Sequence, residues 1–173
     1  MQDTINHFEL WLLRHAKAAD DSDSGRDYDR PLTETGLAMC DLLHTWLIKH
    51  LAHHKAPQTI FYSPALRTRQ TIHGVTGGQV IDREWIEPLP LEALWGASAG
   101  DLVEIISTHA PSQSPLWLVG HNPGLSNAVS WLADDLPWPG MKPGTLVRLE
   151  VPLPIEPHRA KILEGVHSHS SID

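Results

Sequence analysis

Short apolar runs alternate with segments of helical apolar spacing along most of the chain, and this pattern predicts an α/β fold. The predicted strands of the first part are Phe8 to Leu13, Thr59 to Tyr62, Val80 to Ile86 and Leu116 to Val119. Strands that alternate with helices form right-handed crossovers, so we expect a mainly parallel sheet with helices on both faces. Two later runs, Val147 to Val151 and Ala160 to Val166, are expected to close this three-layer sandwich as an antiparallel pair.

Capping residues mark the starts of the predicted helices. Thr33 is a good N-cap for a helix that continues to about His53. Ser63 is expected to cap the next helix, because a proline such as Pro64 is well tolerated at a first helical position. Ser98 opens a third helix with a capping-box spacing. The remaining segments are a second-half helix at Gly124 to Leu132 and loops at Ala18 to Arg30 and Pro137 to Gly144.

Length and charge restrict the class of protein. With 173 residues, 41% of them hydrophobic, residues 1–173 fit one compact domain. The net charge of -8 opposes binding to nucleic acid or to an anionic membrane, so neither is expected as a partner. No apolar run reaches the roughly 18 residues of a membrane span, and no signal peptide is expected at the start. The lone cysteine, Cys40, excludes an internal disulfide and favours a cytoplasmic location.

Polar side chains follow two of the predicted strands at the point where each strand ends. Arg14 and His15 come directly after the first apolar run, and His121 follows the run that ends at Val119 and Gly120. Ligands of mainly parallel sheets bind beyond the carboxyl ends of the strands. We therefore expect His15 and His121 to lie close together.

Four segments in a fixed order carry a family resemblance. They are Leu13 to Ala18, Asp29 to Thr33 with Gly36, Ser63 to Thr71, and Val119 to Pro123. Together they resemble the signature of the histidine phosphatase superfamily, the phosphoglycerate-mutase-like proteins, and are most similar to its SixA-type phosphohistidine phosphatases. The resemblance implies a two-step phosphatase with a phosphohistidine intermediate, no metal and no other cofactor.

The resemblance assigns roles to four residues, and the chemistry of phosphoryl transfer agrees with them. It implies that His15 is the nucleophile and that Arg14, Arg67 and His121 bind the phosphoryl group. A guanidinium fork grips two phosphoryl oxygens at once, and an in-line nucleophile completes the site. Nearby guanidinium groups would keep His15 neutral for attack, whereas we expect His121 to carry a proton and donate it to the oxygens.

Two further arginines lie within these four segments. Arg69 lies two residues after Arg67, and side chains at that helical spacing do not share a face, so the family pattern selects Arg67. Arg30 is a candidate substrate-binding residue. Its alternative role is an ion pair with a local carboxylate, such as that of Asp27 or Asp29.

Glu92 is the candidate general acid. Glu92 to Gly96 fits the Glu-x-x-aromatic-Gly segment in which longer members of the family carry an acidic residue. Glu87 is a rival candidate. A phosphohistidine substrate has an imidazole leaving group with its own protonatable nitrogen, so this role could also be dispensable.

Histidines elsewhere raise the question of a metal site. His50, His53 and His54 lie on one predicted helix, and His167 and His169 lie near the end of the chain. His50 and His54 could share a metal ion at their spacing of four residues. Because no acidic or cysteine partner accompanies them at ligand spacing, we predict a solvated polar face and no metal.

Three functions remain open from the sequence. The first is a phosphatase that acts on protein phosphohistidine. The second is a phosphomonoesterase of the same superfamily that acts on a small phosphorylated metabolite. The third is a binding module for a phosphorylated ligand without turnover, although the intact His15 and its arginines argue against this last alternative.

Overall fold

The computed structural model of the chain describes residues 6–57, 59–77, 86–110, 115–134 and 138–167. Strands and helices alternate through most of this range, as the apolar pattern predicts. Two short 3-10 turns, Asp27–Asp29 and Glu92–Leu94, lie in the connections. The elements in chain order are β1 (His7–Arg14), α1 (Glu34–Leu51), β2 (Thr59–Tyr62), α2 (Leu66–Val75), β3 (Leu89–Pro90), α3 (Ala99–His109), β4 (Leu116–Gly120), α4 (Gly124–Leu132), β5 (Thr145–Pro152) and β6 (Lys161–His167).

The strands form one six-stranded sheet in the order β3-β2-β4-β1-β5-β6. The ladders between β3 and β2, β2 and β4, and β4 and β1 are parallel. β5 runs antiparallel to β1, and β6 runs antiparallel to β5. The predicted α/β fold with a mainly parallel sheet and an antiparallel C-terminal pair is therefore confirmed.

Strand β1 lies in the middle of the sheet and is buried on both of its faces. Leu10 and Leu12 join the core formed with α3 and α4, whereas Trp11 and Leu13 join the core formed with α1 and α2. Successive side chains of a strand point to opposite faces, so a strand between two helical layers needs apolar residues at every position. This explains why Leu10 to Leu13 are four successive buried apolar residues.

Two of the predicted helix caps are present. The Thr33 side chain accepts a hydrogen bond from the Gly36 amide at 3.1 Å, and α1 begins at the next residue after this cap. Ser98 and Asp101 form a reciprocal capping box at the start of α3. Cys40 on α1 is buried, and this burial raises the pKa of its thiol to about 12.

One prediction about these elements is wrong, and another lies mostly outside the described residues. Ser63 does not cap α2, which begins at Leu66 after Ala65, because the Ser63 hydroxyl is instead paired with a histidine of the candidate site. Of the strand predicted at Val80 to Ile86, residues 80–85 lie outside the described residues, and the edge strand is Leu89–Pro90.

No helix in the described ranges has the length and apolar character needed to cross a membrane.

Candidate active site

The carboxyl ends of β1 and β4 meet at one edge of the sheet. Arg14 pairs with Gly120 in the parallel ladder, so the residues that follow each strand are neighbours. The His15 amide continues the ladder with a 3.1 Å hydrogen bond to the Gly120 carbonyl. The ring centroids of His15 and His121 are 5.2 Å apart. The structure thus brings together the two histidines that the strand ends predict.

His15 is buried and is held in one tautomer. Its Nδ1 lies 2.8 Å from the carbonyl oxygen of Ala16, which can only accept, so Nδ1 carries the hydrogen. Burial lowers the pKa of His15 to about 4, and the charges of Arg67 and Arg14 act in the same direction. At neutral pH the ring is therefore a neutral imidazole whose lone pair lies on Nε2, the form that a nucleophile requires.

His121 lies beside it in a similar environment. Its Nε2 is 2.8 Å from the Ser63 hydroxyl, and its Nδ1 is buried without a hydrogen-bond partner among the described residues. Burial lowers the pKa of His121 to about 3, and His15 and Arg67 add to this effect. The imidazole of His121 is therefore neutral in the protein without a ligand, whereas the sequence predicts a protonated, charged ring. An adjacent phosphoryl dianion would favour the protonated form.

Arg14 and Arg67 reach the same place from β1 and α2. Arg14 Nη1 donates to the Met141 carbonyl at 2.8 Å, while its Nε is buried without a partner in the described ranges. Arg67 is only 5% exposed, and burial lowers the pKa of both guanidinium groups. Arginine nevertheless stays charged in proteins. Arg69 is exposed on the opposite side of α2, as the helical spacing predicts.

Arg30 forms an ion pair with a local carboxylate, which is the alternative role predicted for it. Its Nε lies 2.8 Å from Asp27 Oδ1, and its Nη1 donates to the Ala19 carbonyl at 2.9 Å. The same Asp27 binds Arg67 through both its carboxylate and its carbonyl. Arg30 therefore belongs to the arginine group of the site through a shared carboxylate, and direct contact with a substrate stays a prediction.

The acid candidates are not brought into the group. Glu92 is exposed on the 3-10 turn Glu92–Leu94, and Glu87 is exposed before β3. Within the described ranges, neither carboxylate makes a hydrogen bond or ion pair with His15 or His121. Their role as general acid stays a prediction.

Two aromatic side chains, Trp95 and Tyr28, lie beside the site, and the sequence does not predict their position. Trp95 meets His121 edge to face at a centroid distance of 5.2 Å, and the Arg67 guanidinium lies 5.4 Å from the Trp95 ring centroid. Tyr28 contacts the same ring at 5.1 Å. The available signal was the aromatic position of the Glu92 to Gly96 segment, but spacing alone does not show which way that side chain points.

A close approach of two loops holds Trp95 near His121. A Cβ on Gly124 would lie 2.0 Å from the carbonyl oxygen of Ala97, far inside van der Waals contact. Only glycine therefore lets the start of α4 pack against the segment after Trp95. Asn122 fixes the same region, since its side chain donates to the Met141 carbonyl at 2.8 Å and accepts from Ser126 Oγ at 2.9 Å.

The described residues contain no group of three or more histidines, cysteines or carboxylates that could hold a metal ion. His50 and His54 stack at a centroid distance of 4.0 Å, and His50 also stacks on Trp46 at 4.6 Å. His169 lies outside the described residues. Metal independence stays a prediction that activity measurements have to test.

The group as a whole is a strongly cationic site in an acidic protein. Three arginines and two neutral histidines surround one carboxylate at the sheet edge, although the chain carries a net charge of -8. A family model for the histidine phosphatase superfamily (branch 1) matches residues 10–121, which include both histidines. The chain belongs to this superfamily.

The curated relatives of this chain are named as uncharacterized proteins. The chain is 35% identical over 136 residues to a chloroplast protein of Arabidopsis thaliana, a match that covers 72% of this chain and 58% of the relative. A Mycobacterium tuberculosis protein is 34% identical over 114 residues, covering 66% of this chain and 65% of the relative. The chain thus spans about three fifths of the length of these relatives.

Solved structures of the superfamily share the whole fold. The SixA protein of Agrobacterium tumefaciens is 25% identical with a TM-score of 0.72, covering 92% of this chain and 97% of that one. The protein histidine phosphatase SixA solved with tungstate has a TM-score of 0.76 at 18% identity, covering 93% and 97%. These matches show that the chain shares the α/β fold of these solved structures.

Proposed function

We propose that this histidine phosphatase removes a phosphoryl group from a protein phosphohistidine by way of a phosphoryl intermediate on His15. The observation that carries the proposal is the pairing of a neutral His15, with its lone pair on Nε2, with His121 5.2 Å away. Arg14 and Arg67 supply positive charge around this pair. Catalysis of phosphoryl transfer is mostly such positioning and charge stabilisation.

In the first step, His15 Nε2 attacks phosphorus and forms a nitrogen–phosphorus bond. The bond from phosphorus to the substrate imidazole breaks, and its electron pair goes to that imidazole nitrogen. Positive charge grows on the His15 ring, where the Nδ1 hydrogen is already bonded to the Ala16 carbonyl at 2.8 Å. Arg14, Arg67 and His121 stabilise the negative charge on the transferring oxygens.

In the second step, water attacks the phosphorus of phosphorylated His15. The nitrogen–phosphorus bond breaks, its electron pair returns to Nε2, and the water protons end on phosphate and solvent. No metal is needed in either step, since guanidinium and imidazole groups supply the charge.

The leaving group distinguishes the candidate substrates. An imidazole that carries a proton on its second nitrogen leaves as a neutral molecule, whereas an alkoxide needs a proton from an acid. An imidazole leaving group does not depend on Glu92 or Glu87, both of which are exposed. The fold shared with SixA supports the same class of substrate. A cytoplasmic location stays a prediction.

A substrate panel tests the proposal. Phosphohistidine proteins and small phosphoesters, including sugar phosphates, are compared by kcat/KM, and we expect the phosphohistidine proteins to be preferred. Glu92→Gln should slow hydrolysis of an alkyl phosphoester far more than hydrolysis of phosphohistidine. A much higher kcat/KM for a sugar phosphate, or an equal fall for both classes, would support the metabolite phosphatase. No turnover of any member, with phosphate still bound, would indicate the binding module.

A further inference from the structure

A single carboxylate joins two arginines beside the catalytic histidines. Asp27 Oδ2 accepts a hydrogen bond from Arg67 Nη2 at 3.0 Å, and its Oδ1 lies 2.8 Å from Arg30 Nε. The backbone carbonyl of Asp27 also accepts from Arg67 Nη1 at 2.7 Å. Both terminal nitrogens of Arg67 are therefore held by one residue of the loop.

The turn that carries Asp27 is anchored on both sides. Asp29 accepts hydrogen bonds from Arg26 Nε at 2.7 Å and from Ser24 Oγ at 2.6 Å. Arg30 Nη1 donates to the carbonyl of Ala19 at 2.9 Å. The carboxylate of Asp27 is thus presented to α2 by a loop segment with its own hydrogen bonds.

We infer that Asp27 is a positioning residue, which orients the guanidinium of Arg67, together with that of Arg30, toward the transferring phosphoryl group. The inference rests on the proposed function. A guanidinium has five N–H donors, so two bonds to Asp27 leave three for phosphoryl oxygens. The Arg67 side chain is only 6% exposed, so its orientation is set by protein contacts rather than by water.

The negative charge of Asp27 is expected to stabilise the arginine pair in addition to the hydrogen bonds that Asp27 accepts. Partial burial opposes ionisation, but the hydrogen bond and charge of Arg67, with the charge of Arg30, lower the pKa of Asp27. The group is therefore a carboxylate at neutral pH and offsets one of the three arginine charges. This limits the mutual repulsion of Arg67 and Arg30 and lets both stay at the site before a substrate arrives.

A carboxylate in this place could have the opposite effect, because it occupies donors that a phosphoryl group could use. Replacement of Asp27 distinguishes these two roles by its effect on anion binding. Removal of a competitor tightens anion binding, whereas removal of a positioning group weakens it and slows the chemical step.

The test compares Asp27→Asn with Asp23→Asn. Both variants remove one carboxylate from the loop between β1 and α1, but Asp23 is exposed and makes no hydrogen bond or ion pair with Arg67 or Arg30 among the described residues. The measurements are kcat and KM on a phosphohistidine protein, vanadate affinity by calorimetry, and thermal melting to show that each variant is folded.

We expect Asp27→Asn to lower kcat by about 10- to 100-fold, because small displacements of a positioned group have effects of this size. KM should change less, vanadate should bind more weakly, and Asp27→Glu should recover part of kcat because it keeps the charge. Asp23→Asn should stay within about twofold of the wild type, as most surface substitutions do.

Equal behaviour of the two asparagine variants would overturn the inference, and so would tighter vanadate binding with a raised kcat/KM in Asp27→Asn. Absence of phosphatase activity in the wild type would contradict the proposed function instead. Vanadate affinity would then still decide the role of Asp27, since it does not depend on turnover.

Discussion

Two regions of this molecule bury an arginine, and they balance its charge in opposite ways. Arg148 on β5 has a side chain 8% exposed and lies between two carboxylates, with Nε 2.6 Å from Glu9 and Nη1 2.9 Å from Glu164. In the candidate active site, Arg67 and Arg30 share the single carboxylate of Asp27. The first region is balanced by its own residues, whereas the second has positive charge in excess.

The hydrogen bonds show the same contrast. All three nitrogens of the Arg148 guanidinium contact carboxylate oxygens, and the group also lies 5.4 Å from the Trp11 ring centroid. In the site, Arg14 Nε, Arg67 Nε and His121 Nδ1 are buried without hydrogen-bond partners among the described residues. A buried polar atom that the protein leaves unpaired has a free-energy cost. Among the described residues, His50 Nε2 near Arg148 is also buried without a hydrogen-bond partner, so the contrast holds for the guanidinium groups and not for the histidines.

Among the arginines, the largest effect on activity is expected at Arg67. Arg67→Ala should lower kcat/KM by about 10²- to 10³-fold, comparable to the loss of one oxyanion donor, because charge stabilisation of the transferring group is lost. The exposed Arg69→Ala on the same helix is the matched control and should leave kcat/KM near that of the wild type. Equal losses of kcat/KM in the two variants would show that the two faces of α2 do not differ in their effect on activity.

Replacement of Arg148 should act on stability instead. Arg148→Met removes the arginine from Glu9 and Glu164 and leaves Glu9 the 2.7 Å hydrogen bond from Trp11 Nε1. We expect the free energy of unfolding to fall by about 3 kcal/mol, the lower end for a broken buried pair, because both carboxylates keep some water. Urea unfolding measures this, with kcat/KM of the folded variant close to that of the wild type. A large loss of activity without a loss of stability would break the contrast between the two regions.

The acid sensitivity of the fold should be divided between the regions. Burial lowers the pKa values of His15 to about 4, of His121 to about 3 and of His50, which also faces Arg148, to about 4. Since these pKa values lie below the ordinary value near 6.5, the stabilisation is present above about pH 6.5 and is lost as pH falls toward the folded pKa.

Urea unfolding between pH 7 and pH 4.5 checks this, with and without phosphate. Bound phosphate favours protonated His15 and His121 and should reduce the loss of stability, whereas the share that comes from His50 should remain. His50→Phe should remove that share without changing the effect of phosphate. A stability that does not depend on pH in this range would contradict the neutral state of the buried histidines.

Much of the fold and the pair of histidines could be predicted from the sequence because they follow from periodicity and topology. The parallel ladder of β1 and β4 aligns Arg14 with Gly120, so the residues after them meet. Thr33 and Ser98 were recognised as caps because capping depends on residues only three positions away.

The parts that could not be predicted depend on contacts between distant loops. Asp27 lies 40 residues from Arg67, and its side-chain direction depends on a 3-10 turn that no apolar pattern marks. The cap predicted at Ser63 failed for a similar reason, since its hydroxyl pairs with His121, 58 residues further along the chain. The exposed two-residue edge strand Leu89–Pro90 likewise has no run of buried residues to indicate it.

The central claim, that His15 carries the phosphoryl group, is tested most directly by trapping the intermediate. Rapid quenching of the wild type with a labelled phosphohistidine protein should give an acid-labile phosphoenzyme whose label maps to His15. His15→Ala should give no label and no turnover but should still bind vanadate, because Arg14 and Arg67 remain. An acid-stable label on a serine or on Cys40, or full turnover by His15→Ala, would contradict the mechanism.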